Sequence, residues 1–108
     1  MYLSSTNADG EFGVVLEADA GTVYLYALRM KPSQKIVDHI RVFVGSPPFS
    51  EQECALVWDS SGLNVALVIG KVVNAVFSFT NGQLRKWSGG FDGQSMCNVR
   101  QEIAGIFT

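Results

Sequence analysis

Between Cys54 and Leu84 the chain runs for 31 residues with only two charges, Asp59 and Lys71. Within that run, β-branched and other apolar residues fall into short segments separated by glycine and small polar residues. This pattern predicts strands at Cys54 to Asp59, Leu63 to Gly70, Val72 to Thr80 and Gln83 to Trp87. Ser60-Ser61-Gly62 joins the first two. Asn81-Gly82 joins the last two, and this pair suits a type I′ hairpin turn because both central positions need a positive φ. So much uncharged strand-forming sequence invites edge-to-edge pairing if left in water. Something therefore has to cover it: the rest of the domain, a second copy of the chain, or a partner.

The first half carries the same kind of pattern with more charge. Gly13 to Ala18 and Thr22 to Met30 predict a hairpin around Asp19-Ala20-Gly21. In its second strand Val23, Leu25 and Ala27 share one face, and Tyr24, Tyr26 and Leu28 share the other. Both faces are bulky, so neither is plainly a solvent face. Lys31-Pro32-Ser33 interrupts the pattern, since proline cannot continue a ladder. Ile36 to Val44 alternates again and predicts a strand, with Asp38 and His39 on opposite faces. Residues 1–12 are mostly polar and predict an edge or flexible segment. After the glycine-rich stretch Trp87 to Gly93, Val99, Ile103 and Ile106 recur at helical spacing opposite Arg100, Gln101 and Glu102. They predict a helix over Ser95 to Ile106, with Asn98 and Gln101 as its capping box. The expected fold is mainly β: one domain over residues 1–108, about seven antiparallel strands in a curved sheet or small sandwich, and one short C-terminal helix.

Composition narrows the function classes. Hydrophobic residues make up 47% and charged residues 17%, below the roughly 25% charged of a typical soluble domain. That excludes disorder. The net charge is −2 and the basic residues are scattered, so there is no electrostatic footprint for nucleic acid. The tightest basic pair is Arg85-Lys86. Val65 to Phe79, the longest apolar stretch, is broken by Lys71 and Asn74 and is shorter than the roughly 20 residues of a spanning helix. With no secretory-type start, the expectation is a cytoplasmic protein that does not enter a membrane. Two cysteines, Cys54 and Cys97, fit a reducing compartment and leave a pairing open.

Candidate chemistry is sparse. His39 is the single histidine, and neither cysteine sits in a nucleophile turn, so no acid, base and nucleophile converge and no catalytic residue is assigned. Cys97, near the predicted helix start, is the better candidate for a reactive thiol. Metal-ligand spacing is missing for both calcium and zinc, and Gly89-Gly90 with Gly93 lacks the following Lys-Ser/Thr of a P-loop. No cofactor is implied. The aromatic residues leave one ligand-binding option, a pocket between the strand Thr22 to Met30 and the loop Trp87 to Gly93. Tyr24, Tyr26, His39, Arg41, Trp87 and Cys97 are its candidate residues.

Three blocks carry a family likeness. Glu17 to Leu28 (EADAGTVYLYAL) places an acidic strand end before Gly-Thr and alternating aromatics. Ile36 to Phe43 (IVDHIRVF) and Trp58 to Leu67 follow in order. On these blocks the chain resembles a family of small uncharacterised bacterial proteins, domain of unknown function 2251. Where the family pattern has a histidine, this chain carries Arg41, with His39 two positions earlier. The resemblance implies a bacterial source and a compact β fold, and it brings no activity with it. The reading that follows is a non-catalytic binding or interaction module that self-associates, most simply as a two-fold dimer, or meets a protein partner. The alternative is a small-ligand-binding or enzymatic domain built on the aromatic-lined pocket.

Overall fold

Two consecutive four-stranded antiparallel meanders lie face to face in the computed structural model, which describes residues 1–107. The first sheet runs β1 (Tyr2–Thr6), β2 (Phe12–Asp19), β3 (Thr22–Arg29) and β4 (Lys35–Val44), paired in that order. The second runs β5 (Cys54–Trp58), β6 (Asn64–Ile69), β7 (Val72–Ser78) and β8 (Arg85–Ser88), again in sequence order. A two-residue pair, β9 (Phe91–Asp92) with β10 (Ser95–Met96), and a four-residue helix, α1 (Gln101–Ala104), complete the described chain. The protein is mainly β and antiparallel, as its patterning predicts.

Alternation decides which residues meet between the sheets. Val14, Leu16, Val23, Leu25, Ala27, Ile40 and Val42 from the first sheet pack on Val65, Leu67, Ile69, Ala75 and Phe77 from the second. Each fully buried side chain of this size is worth about 1.5–3 kcal/mol relative to exposure. Polar contacts tie the two sheets together at both sides. At one, the Trp58 indole N–H donates to Ser5 Oγ at 2.9 Å, tying β5 to β1. At the other, Lys86 Nζ on β8 donates to Asp38 Oδ1 and the His39 carbonyl on β4, both at 3.0 Å.

The uncharged run is covered by the chain's own C-terminal segment. Ala66, Val73 and Val76 point away from the first sheet and are buried beneath Val99 and Ala104, with Trp87, Ile103 and Phe107 packed around them. β6 and β7 are therefore apolar on both faces because both faces are interior. A β-bulge anchors the cover. The β6–β7 register shifts after Leu67, leaving Asn74 as the extra residue. The Val99 N–H donates to the Val73 carbonyl (2.9 Å), the Val73 N–H donates to Asn98 Oδ1 (3.0 Å), and the Gly89 N–H donates to the Asn74 carbonyl (2.8 Å). Asn74 Nδ2 in turn donates to the carbonyls of Gly90 (3.1 Å) and Cys97 (3.4 Å). The segment passes so close that a Cβ on Gly89 would overlap the Cys97 carbonyl oxygen and stand 2.7 Å from the Asn98 carbonyl carbon.

Several elements depart from the sequence expectation. The helix expected over Ser95 to Ile106 shrinks to Gln101–Ala104 and a 3-10 turn at Gly105–Phe107. Ser95–Met96 pairs with β9, and Asn98 bonds to β7 instead of capping. A 12-residue helix is marginal on its own, so specific bonds to the bulge outweigh the helical propensity. The β7–β8 ladder closes at Ser78↔Arg85, earlier than the expected strand ends. Asn81 (φ 57°) and Gly82 (φ 70°) do adopt the positive angles of a type I′ turn. Phe79 leaves the ladder because it stacks on Phe12 with ring centroids 4.3 Å apart. Tyr2–Thr6 adds an edge strand, bringing the two main sheets to eight strands.

Candidate functional site

The outer face of the first sheet is built from three rows that cross all four strands. Register places Tyr2, Glu17, Tyr24 and Arg41 in one row, then Ser4, Val15, Tyr26 and His39, then Thr6, Gly13, Leu28 and Ile36. Because β3 puts Val23, Leu25 and Ala27 into the core, period-two alternation sends Tyr24 and Tyr26 to this outer face. Their rings lie 5.6 Å apart, and the His39 imidazole meets Tyr24 edge-on at 5.7 Å and Tyr26 at 6.3 Å. Burial against neighbours and then the Glu17 charge push the Tyr26 phenol above its usual 10.0. Over part of this face lies a hollow of about 270 Å³ lined by Tyr2, Val15, Glu17, Tyr26, Leu28, Gln34 and Ile36.

A larger groove, about 500 Å³, follows the seam where β4 meets β8. Tyr24, His39 and Arg41 form its rim on the first sheet, Trp87 and Ser88 its rim on the second, and Ile40 and Lys86 lie between. Lys86 is fixed there by its ion pair with Asp38, whose carboxyl burial would raise. The hydrogen bonds from Lys86 and the His39 N–H and the nearby positive charges outweigh that penalty, leaving Asp38 below its ordinary 3.8.

Of the six residues singled out from sequence, Tyr24, His39, Arg41 and Trp87 line this groove, and Tyr26 adjoins it through its ring contacts. Cys97 is elsewhere: its N–H donates to the Gly90 carbonyl and its own carbonyl accepts from Asn74, within the C-terminal cover. Sequence reasoning missed Lys86, Ile40 and Ser88. Lys86 was visible as half of the tightest basic pair, and its β8 register opposite Phe77 turns it toward the seam.

His39 hydrogen-bonds Asp38 through its backbone N–H, which donates to Asp38 Oδ1 at 2.7 Å, while the imidazole acts on that carboxylate only through space, as charge. Both cysteines are free. Cys54 is half-buried, and burial first, then the charges of Glu53 and Glu51, pushes its thiol up to about 11, away from thiolate chemistry. Among the described residues no three His, Cys, Asp or Glu side chains come together as a metal site, and no helix is long and apolar enough to cross a membrane.

No curated protein and no solved structure matches the chain. Residues 1–88, which take in all eight strands of the two sheets and stop short of the C-terminal cover, match the model of an uncharacterised protein family conserved in bacteria. The chain belongs to that family, DUF2251.

Proposed function

We propose that this protein is a non-catalytic binding module that self-associates through the outer face of its first sheet. One asymmetry carries the reading. The outer face of the second sheet lies beneath the chain's own C-terminal segment, whereas the outer face of the first has no such cover among the described residues. Among the described residues, the exposed large hydrophobics Tyr2, Ile36 and Val44 belong to the first sheet, while Val37 turns at the β4 bulge toward Phe79 and Leu84. Tyr2 and Ile36, at 56% and 58% exposure, project at the border of the hollow they line with Val15, Tyr26 and Leu28.

A second copy is the occupant that suits this face. In a two-fold pairing each face offers the same projecting pair to the other's hollow, so one surface supplies both knob and recess. The Met30 side chain already lies over Gly13, 3.2 Å from where a Cβ would stand, so the recess open to a partner's side chain is the hollow beside Tyr26 and Leu28. Sedimentation velocity from about 1 to 100 µM tests this, since a Kd in that range is ordinary for such an interface. The expected result is a dimer for the native chain and a monomer for Ile36→Glu, with unchanged circular dichroism. A native chain monomeric throughout, or a dimer indifferent to Ile36→Glu, removes the proposal. A stable complex with a different protein on this face would replace the second copy by a heterologous partner.

A further inference from the structure

We infer that the seam between β4 and β8 is a binding site for a small organic anion carrying a planar ring, about the size of a mononucleotide. Volume sets the scale: 500 Å³ lies in the range of small-molecule clefts. Charge sets the sign. The groove lining contains Arg41, Lys86 and His39 and no carboxylate; Asp38, just outside the lining, pairs with Lys86, so Arg41 is the cation that supplies the unbalanced positive charge. Among the described residues Arg41 has no acidic partner within ion-pair distance, so its guanidinium fork is unengaged and matches a carboxylate or phosphate.

Lys86 adds a second, positioned donor. Two of its three N–H bonds point to Asp38 Oδ1 and the His39 carbonyl, which fixes the ammonium in the seam and leaves one proton for a ligand. The flat part of the ligand has two aromatic neighbours. Tyr24 is held against Tyr26 and His39 on one rim, and Trp87 lies on the other. The Trp87 indole N–H donates to no acceptor among the described residues, unlike that of Trp58, which is engaged by Ser5. Cations at the seam with an aromatic residue on either rim suit a ring-bearing anion better than a bare ion or an apolar ligand.

One copy of the chain carries this site, but Tyr24, His39 and Arg41 share the outer face proposed for self-association. Binding is therefore tested on both the native chain and Ile36→Glu, a change outside the groove lining that keeps a failure to bind apart from cover by a second copy. The test is a set of NMR titrations of the ¹⁵N-labelled protein with adenosine monophosphate and indole-3-acetate, following the Trp87 indole and Arg41 side-chain signals. Inorganic phosphate and adenosine serve as the anion-only and ring-only arms, and the two ring-bearing anions distinguish phosphate from carboxylate preference. The expected result is saturable shifts at both residues for at least one ring-bearing anion, with a Kd on the order of 0.1 mM. Each partial ligand binds at least about tenfold more weakly. Arg41→Gln weakens binding about tenfold or more, and added salt weakens the ring-bearing anion but not adenosine. The inference is overturned if no ring-bearing anion shifts Trp87 and Arg41 up to about 10 mM, or if Arg41→Gln binds as the native chain does.

Discussion

Gly89→Ala is a one-methyl change on a half-buried residue, and the structure predicts that it behaves like a core mutation. The added Cβ has nowhere to go: it overlaps the Cys97 carbonyl oxygen and lies 2.7 and 2.8 Å from the Asn98 carbonyl carbon and oxygen, where ordinary contact needs 3.4 Å or more. These are backbone atoms, so no side-chain rotation relieves them. The C-terminal segment must lift, and the bonds that hold it lie on the same few residues. They are Val99 N–H to the Val73 carbonyl, Val73 N–H to Asn98 Oδ1, and Asn74 Nδ2 to the Gly90 and Cys97 carbonyls. Losing about three such bonds at about 1 kcal/mol each gives a destabilisation of about 3 kcal/mol. For a domain of this size that is a fall in Tm of about 12–20 °C. Gly105→Ala is the internal control. Its φ of −61° is right-handed helical, and its added Cβ meets nothing within 4 Å, so that variant is neutral or stabilised by up to about 1 kcal/mol. Urea denaturation of the two variants beside the native chain measures both. A Gly89→Ala protein within about 0.5 kcal/mol of native would refute the claim that the segment is locked onto the β7 bulge.

Phe77, fully buried between the sheets, costs about 3–5 kcal/mol when replaced by alanine; equilibrium unfolding reads this, and a loss below 1 kcal/mol speaks against a tight inter-sheet core. At pH 8 a thiol titrating near 11 is about 0.1% thiolate, so iodoacetamide labels Cys54 slowly and Glu53→Gln speeds it; rapid labelling of Cys54 in the native chain contradicts the burial and charge assigned to it. Asp59 is held below 3.8 because hydrogen bonds from Asn64, Ser61 and Gly62 outweigh the cost of its burial, and Asp38 is lowered too. A lowered carboxyl adds stability above the unfolded value near 3.9, and that contribution drains away as pH falls through the lower folded value. Thermal melts therefore show stability lost below about pH 4, with a shallower loss in Asp59→Asn than in the native chain; equal slopes would remove Asp59 from that account.

Much of the fold was legible because it rests on local rules. Alternation in Thr22 to Arg29 separated the core residues Val23, Leu25 and Ala27 from the outward tyrosines, and Asn81-Gly82 announced its positive φ angles. The C-terminal segment was misjudged because its conformation is set from outside. Val99 and Ile103 have helical spacing, but Asn98 and Val99 follow hydrogen-bonding groups exposed by a bulge that lies 25 residues away in sequence. The same segment answers the question posed by the uncharged run, since periodicity cannot tell a strand covered by its own chain from one covered by a second copy. At the candidate site, the aromatic and basic rim was readable residue by residue. Lys86 was not, because its role comes from two strands of different sheets meeting at Asp38. Cys97 looked reactive only on the assumption of a longer helix.

Self-association depends on the contrast between a sheet face capped by its own chain and one left for a second copy. Carbene footprinting at about 1 µM and about 100 µM, read by mass spectrometry, measures both faces at once. Tyr2 and Ile36 are expected to be heavily labelled in the dilute sample and protected in the concentrated one, with Val76 and Val99 protected in both. Labelling of Tyr2 and Ile36 that does not change with concentration, or strong labelling of Val99, would contradict that contrast.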